Sequence, residues 1–230
     1  MNRISVCGIK TGYGKKSVLT DVSFTADAGQ CIGIVGANGS GKTTLFQILS
    51  GLKKPDQGKI VFDGVTADEK IGNELFIQYT GYAPQEDILI PELTVYDNLL
   101  LWYVSKEELQ KAGQKKLWQS LQIEEILHIK VRNLSMGMRK KVSIACALAG
   151  NPSILLLDEP DASLDLYSKA ELRRYLFMYK QTGGTIILAT HDESQLDLCD
   201  KVYALSHGKC KEIDKTLRGE VLMGSLKESI

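Results

Sequence analysis

The sequence has no apolar run near the roughly 18 to 20 residues that a membrane-spanning helix requires; its longest, at residues 142–150 and 154–157, fall far short. A signal-peptide core is also missing from its start, so the chain is expected to be soluble by itself. Paired cysteines are lacking: the five, Cys7, Cys31, Cys146, Cys199 and Cys210, are odd in number, scattered, and never spaced C-x-x-C. That argues against a zinc site or a redox pair and fits a reducing compartment, where a thiol packs as a small hydrophobe. Charge of neither sign is in excess. Lys and Arg total 28 and Asp and Glu total 28, a formal net charge of +0, so no global basic field points to nucleic acid or to an anionic membrane. Repeats and low-complexity linkers are absent too, and 230 residues suffice for one α/β domain with a smaller inserted subdomain.

The chain is organised in thirds. Residues 4–8, 17–19, 22–26, 31–35 and 59–62 read as short strands, the last following the turn Pro55-Asp56-Gln57-Gly58. From about residue 94 to 149 the period turns helical, with Leu99, Leu100 and Tyr103, then Leu117, Leu121 and Ile126, then Val142, Ala145 and Leu148 on apolar faces. The last third alternates a strand at 154–157, a helix at 168–181 with Leu172, Tyr175, Leu176 and Tyr179 on one face, and strands at 185–189 and 202–205. Such alternation predicts a parallel sheet flanked by helices. The tail after about residue 216 is expected to be too short for a regulatory domain, with its last residues frayed.

Gly36-Ala37-Asn38-Gly39-Ser40-Gly41-Lys42-Thr43 fits the pattern G-x-x-x-x-G-K-[ST], after an apolar strand and before a helix carrying Leu45, Ile48 and Leu49 and ending near Gly51. The context matters as much as the pattern. Glycines let successive N–H groups turn inward around phosphate oxygens, the helix N-terminus adds partial positive charge, Lys42 supplies a point charge, and the Thr43 hydroxyl suits Mg²⁺. With Thr44 beside it, the segment implies a nucleoside triphosphate site.

The strand Ile154-Leu155-Leu156-Leu157 ends in Asp158-Glu159, placing two acids at the carboxyl end of a parallel strand, where ligands of open α/β sheets bind. Standing alone, such a pair is as well explained as a solvated strand end. Beside a phosphate loop, Asp158 suits Mg²⁺ through water, and Glu159 suits the orientation or deprotonation of the water that attacks the γ-phosphate. Thr185-Ile186-Ile187-Leu188-Ala189-Thr190-His191 repeats the geometry and brings His191 toward the phosphates. A histidine after a strand is otherwise a hydrogen-bonded structural residue, and His128 and His207 are left with that role.

The phosphate loop, Leu134-Ser135-Met136-Gly137-Met138 opening a helix, the strand ending in Asp158-Glu159, Ala162-Ser163-Leu164-Asp165 and Thr190-His191 resemble, in order and spacing, the motifs of ATP-binding-cassette (ABC) ATPases of the prokaryotic transporter type. The resemblance covers nearly the whole chain. It implies a P-loop NTPase core, a mostly parallel sheet with helices, carrying an N-terminal antiparallel β-subdomain and an α-helical subdomain inserted at about residues 86–150, all of residues 1–230 being one domain. It also implies roles. Tyr13 stacks on adenine; Lys42 and the loop amides of residues 36–44 hold the phosphates; Thr43, Gln85 and Asp158 serve Mg²⁺. Glu159 activates water, His191 contacts the γ-phosphate, and Asp165 helps join protomers. Ser135, Met136, Gly137 and Met138 would complete the site of a second subunit in trans. Here the sequence departs from the family's L-S-G-G-Q, because Met138 cannot reproduce the glutamine's side-chain hydrogen bonds.

The function implied is an ATP-binding, ATP-hydrolysing subunit that powers translocation by a membrane transporter, an exporter by analogy with systems lacking a long C-terminal extension. Its partners would be a second ABC ATPase subunit, by default an identical one, and a polytopic permease that holds it at the inner face of the cell membrane; nucleic acid is not among them. The segment 86–93 with Leu99, Leu100, Leu101 and Trp102 is the expected docking surface, unless those side chains simply pack the subdomain. The alternative is a soluble ABC-type ATPase of an assembly process such as iron-sulphur cluster biogenesis.

Overall fold

Residues 2–68, 71–161, 164–190 and 192–228 are described by a computed structural model. Period-two alternation at the start of the chain produces two long strands, β1 (Asn2–Tyr13) and β2 (Lys16–Asp27), paired antiparallel. The expectation of separate strands at 17–19 and 22–26 is corrected: both belong to β2. Register irregularities between Val6 and Ile9 and between Ile9 and Thr11 of β1 bend the pair without ending it. After β3 (Cys31–Val35) and helix α1 (Lys42–Leu49), β4 (Gln57–Phe62) pairs antiparallel with β1, and the two-residue β5 (Val65–Thr66) with β4. This is the antiparallel layer.

Helix α2 (Gly72–Tyr79) leads into β6 (Thr80–Ala83). Helices α3 (Val95–Leu100), α4 (Lys106–Gly113), α5 (Lys116–Gln119) and α6 (Met136–Ala147) then intervene before β7 (Ile154–Asp158). Three of them start where hydroxyl caps predict. Thr94 caps α3 in a reciprocal pair with Asp97, Ser105 caps α4, and Ser135 caps α6. The chain closes with α7 (Leu166–Gln181), β8 (Thr185–Ala189), α8 (Glu193–Leu196), β9 (Lys201–Ser206), β10 (Lys209–Ile213) and α9 (Gly219–Glu228). The tail is therefore helical, and α9 buries Leu222.

One ten-stranded sheet results, in the order β5-β4-β1-β2-β10-β9-β3-β8-β7-β6. Strands β9, β3, β8, β7 and β6 run parallel. Of these, β3, β7 and β8 are buried at every residue, which is why they read as unbroken apolar runs. The antiparallel layer joins this core through β2 and β10. Their link is the pair Lys209↔Asp21, reinforced where the Gly208 carbonyl accepts from the amides of Thr20 and Asp21 at 2.7 and 3.1 Å. One apolar cluster packs α1 against the antiparallel layer and one sheet face; the other packs α3 to α7 against the opposite face. Leu172, Tyr175, Leu176 and Tyr179 of α7 are all buried, as their spacing predicts. Cys31, Cys146 and Cys199 are buried free thiols, and Cys7 and Cys210 are half-buried ones. Among the described residues, no helix is long and apolar enough to cross a membrane.

Candidate functional site

The loop between β3 and α1 lies at the carboxyl end of the parallel strands. Gly39 and Gly41 have φ of +79° and +106°, a region in which glycine alone is unstrained, and a Cβ on Gly36 would meet the Leu205 carbonyl and the Ser40 hydroxyl. Ala37, Asn38, Gly39 and Thr43 are exposed, and Thr44 is half-buried. Helix α1 starts without a side-chain cap, which leaves its first amides for an anion. Lys42 is only 6% exposed, its ammonium donating to the Gly36 carbonyl at 2.9 Å and the Ala37 carbonyl at 3.4 Å and lying 3.5 Å from Glu159 Oε1. The Ser40 hydroxyl is buried with no hydrogen-bond partner among the described residues.

Asp158 is the last residue of β7, and Glu159 follows with φ +47°, its amide donating to the Ala189 carbonyl of β8 at 3.0 Å. The turn sends the two carboxylates in different directions. Glu159 accepts from Gln85 Nε2 at 3.0 Å on one oxygen and faces Lys42 with the other. Asp158 keeps both oxygens buried without a hydrogen-bond partner among the described residues. Burial raises its pKa; the Thr43 hydroxyl, beside it but short of hydrogen-bond geometry, and the ammoniums of Lys42 and Lys140 pull it back. Burial and the Asp158 charge also push the Tyr82 phenol well above its ordinary range. An unpartnered buried carboxylate next to an exposed-edge hydroxyl is a hard oxygen set suited to Mg²⁺ completed by water and phosphate oxygens.

Lys42, Gln85, Asp158 and Glu159 thus converge from α1, the segment after β6 and the end of β7. The other expected residues make their contacts elsewhere. Tyr13, at the end of β1, is 52% exposed, with the Lys53 ammonium 4.3 Å from its ring centroid and its hydroxyl 3.5 Å from Gln47 Oε1. Ser135 accepts from the Met138 amide at 3.2 Å, and Met136 and Met138 are exposed. Gly137 has a packing reason of its own, since a Cβ there would strike the Ser168 side chain of α7. Asp165 caps α7, accepting from the Ser168 amide at 2.8 Å and hydroxyl at 3.1 Å. His191 lies outside the described residues, as do Ala162 and Ser163. Of the expected docking segment, Leu89 and Leu99 are core, whereas Ile88, Ile90, Leu101 and Trp102 are exposed, together with Val104.

Sequence reasoning missed two groups. Lys169 of α7 lies 2.7 Å from Asp192 and 3.8 Å from the buried Asp161. Burial, and then the adjacent Asp192, raise the Asp161 pKa to about 6, while Lys169 holds Asp192 below the usual carboxylate range. Their nearness to the Asp158-Glu159 and Thr190-His191 motifs was the available signal. The second group centres on Lys140, one turn into α6, for which the sequence carried no signal beyond a basic residue on an apolar helix.

The profile of the ABC transporter family matches residues 19–162. The lipopolysaccharide export system ATP-binding protein LptB of Haemophilus influenzae is 34% identical over 91% of this chain and 89% of its own length. The sulfate/thiosulfate import ATP-binding protein CysA of Escherichia coli is 32% identical over 92% of this chain and 60% of its own. Among solved structures, the dimeric post-hydrolysis state of the ATP-binding cassette MJ0796 bound to ADP and Pi superposes with a TM-score of 0.79 at 27% identity, covering 94% of this chain and 99% of that one.

Proposed function

The chain belongs to the ABC transporter family, as an ATP-binding subunit and ATP hydrolase, and we propose that it pairs with a second copy of itself and drives a polytopic permease. The observation that carries this reading is the convergence of Lys42, Gln85, Asp158 and Glu159 at the carboxyl ends of the strands. Lys42, the loop amides and the α1 N-terminus hold the β- and γ-phosphates. Thr43, Gln85 and Asp158 are the residues that would hold Mg²⁺, which would supply neutralisation of phosphate charge. Glu159, oriented by Gln85, accepts the proton of the attacking water, and His191 would complete the γ-phosphate contacts. Tyr13 offers a ring face to adenine. Ser135, Met136, Gly137 and Met138 stand at an exposed helix N-terminus, a second anion-binding surface that a partner's nucleotide would use. Asp165 lies where the two copies would meet.

All of residues 1–230 form one ATPase domain in this reading, with the helices at about 86–150 as an insert facing the permease. Exposed Ile88, Ile90, Leu101 and Trp102 are the apolar contacts. They would hold the chain peripherally at the cytoplasmic face of the membrane. Transport is favoured over a soluble assembly role because the relatives above are transport subunits, one for export and one for import. Export is the preferred direction, since LptB is matched over 89% of its own length.

The test is a pull-down of tagged Glu159→Gln from native membranes in mild detergent with ATP and Mg²⁺. Recovery of a polytopic membrane protein is expected; only soluble partners would overturn the transport reading.

A further inference from the structure

We propose that Lys140 is a positioning residue for hydrolysis, tying the helix that opens with Ser135-Met136-Gly137-Met138 to the backbone at Gln85 and so fixing Gln85's reach to Glu159. Lys140 lies on α6 and is 8% exposed. Its ammonium donates to the carbonyls of Pro84 at 3.0 Å and Gln85 at 3.2 Å. Gln85 in turn donates from its side chain to Glu159 at 3.0 Å, and Glu159 lies 3.5 Å from Lys42. A connected path therefore runs from α6 through Lys140, the Gln85 backbone and the Gln85 amide to Glu159.

An ammonium is costly to bury unless its donors are used. Burial lowers the Lys140 pKa, and Asp87, Asp158 and Asp161 act against that. Its two hydrogen bonds go instead to backbone carbonyls on the neighbouring segment. A core position on α6 needs only a hydrophobe; a cation there makes sense as a tether. The same segment is held a few residues on by a neutral device, the buried Asn98 of α3. Its amide brackets Ile90, accepting from the Ile90 amide at 2.7 Å and donating to the Ile90 carbonyl at 3.1 Å. Residues 84–90 are thus fixed to α3 at one end and to α6 at the other. Because Ser135-Met136-Gly137-Met138 ends two residues before Lys140 on the same helix, a displacement of the α6 N-terminus would be passed to the Pro84 and Gln85 carbonyls through this side chain.

The inference rests on Glu159 as the base, so Glu159→Gln is assayed beside Lys140→Met and Lys140→Gln in the full chain. Lys140→Met keeps most of the unbranched apolar stem and removes the donors; Lys140→Gln restores a neutral donor. Expected for Lys140→Met are a kcat lowered about tenfold, a KM and ATP affinity within about twofold of the parent, an undiminished melting temperature, and faster hydrogen exchange across residues 85–90. Lys140→Gln should recover part of the kcat and of the protection. Parent-like kcat or exchange in Lys140→Met, or no recovery by Lys140→Gln, overturns the proposal. Should Lys140→Met not fold, Lys140→Gln decides by exchange and kcat together, and parent-like values in both overturn it. Lost turnover in Glu159→Gln with none lost in Lys140→Met removes the tether alone; retained turnover in Glu159→Gln removes the base and the tether with it.

Discussion

Tyr13 and Glu159 show how single residues are held in positions that the core does not require of them. Glu159 sits at φ +47°, a conformation that costs a non-glycine residue on the order of 1 kcal/mol or more. It is kept there by its amide bond to Ala189 and by side-chain contacts with Gln85 and Lys42. Tyr13 is half exposed and braced from the side by Lys53 and Gln47. Base–aromatic stacking is worth about 1 to 3 kcal/mol by alanine substitution. Tyr13→Ala should therefore weaken ATP binding by about fivefold to a hundredfold and narrow its preference over GTP. Titration calorimetry with both nucleotides measures this, and equal ATP affinity would remove Tyr13 from the site.

At the scale of elements, α6 combines an exposed first turn with a packed helix. Its first turn exposes Met136 and Met138 while Gly137 lies against Ser168. A glutamine at 138 would add one neutral hydrogen bond across a dimer, worth about 0.5 to 1.5 kcal/mol. Met138→Gln in a Glu159→Gln background should tighten ATP-driven dimerisation about two- to tenfold, read by sedimentation. An unchanged dimer affinity would show that position 138 makes no hydrogen bond across a dimer. The same scale shows what was legible beforehand. β3, β7, β8 and α7 announce themselves because burial on both faces, or a buried stripe, leaves a plain apolar pattern. β10 is exposed or half-buried at every residue and α8 is four residues long, so neither carries an apolar pattern of its own. β2 reads as two strands in the sequence because its bulged pairing interrupts the alternation at Thr20-Asp21, where it meets β10. At the site, residue types and spacing point to Lys42, Asp158 and Glu159, which the fold brings together. The Lys140 and Asp161 contacts depend on which strands and helices lie side by side, which spacing does not encode.

For the molecule as a whole, the Asp161, Lys169 and Asp192 group makes stability depend on pH in a definite direction. The Asp161 pKa is raised from 3.8 to about 6, so the folded chain holds that proton more tightly than the unfolded one. Its contribution is fully present below about 3.8 and is lost as pH rises through about 6. Asp192, held down by Lys169, acts oppositely: its contribution is present above 3.8 and lost as pH falls through its lowered pKa. Asp161→Asn should flatten the fall in melting temperature between about pH 4 and 6 and leave the acid limb in place. A parent-like slope in thermal melts across that range would assign it to other groups.

The two ends of the ten-stranded sheet have a consequence for assembly. One terminates in β5, two residues long, and the other in β6, four residues long, with glycine at Gly81 admitting the Ala147 carbonyl of α6 against the strand. An exposed edge of useful length is what invites a neighbouring chain to continue a sheet. Neither border strand supplies one among the described residues, so fibrous growth by addition to β5 or β6 is disfavoured, and a second copy that pairs as proposed would be held through loops and helix ends, contacts that can part again.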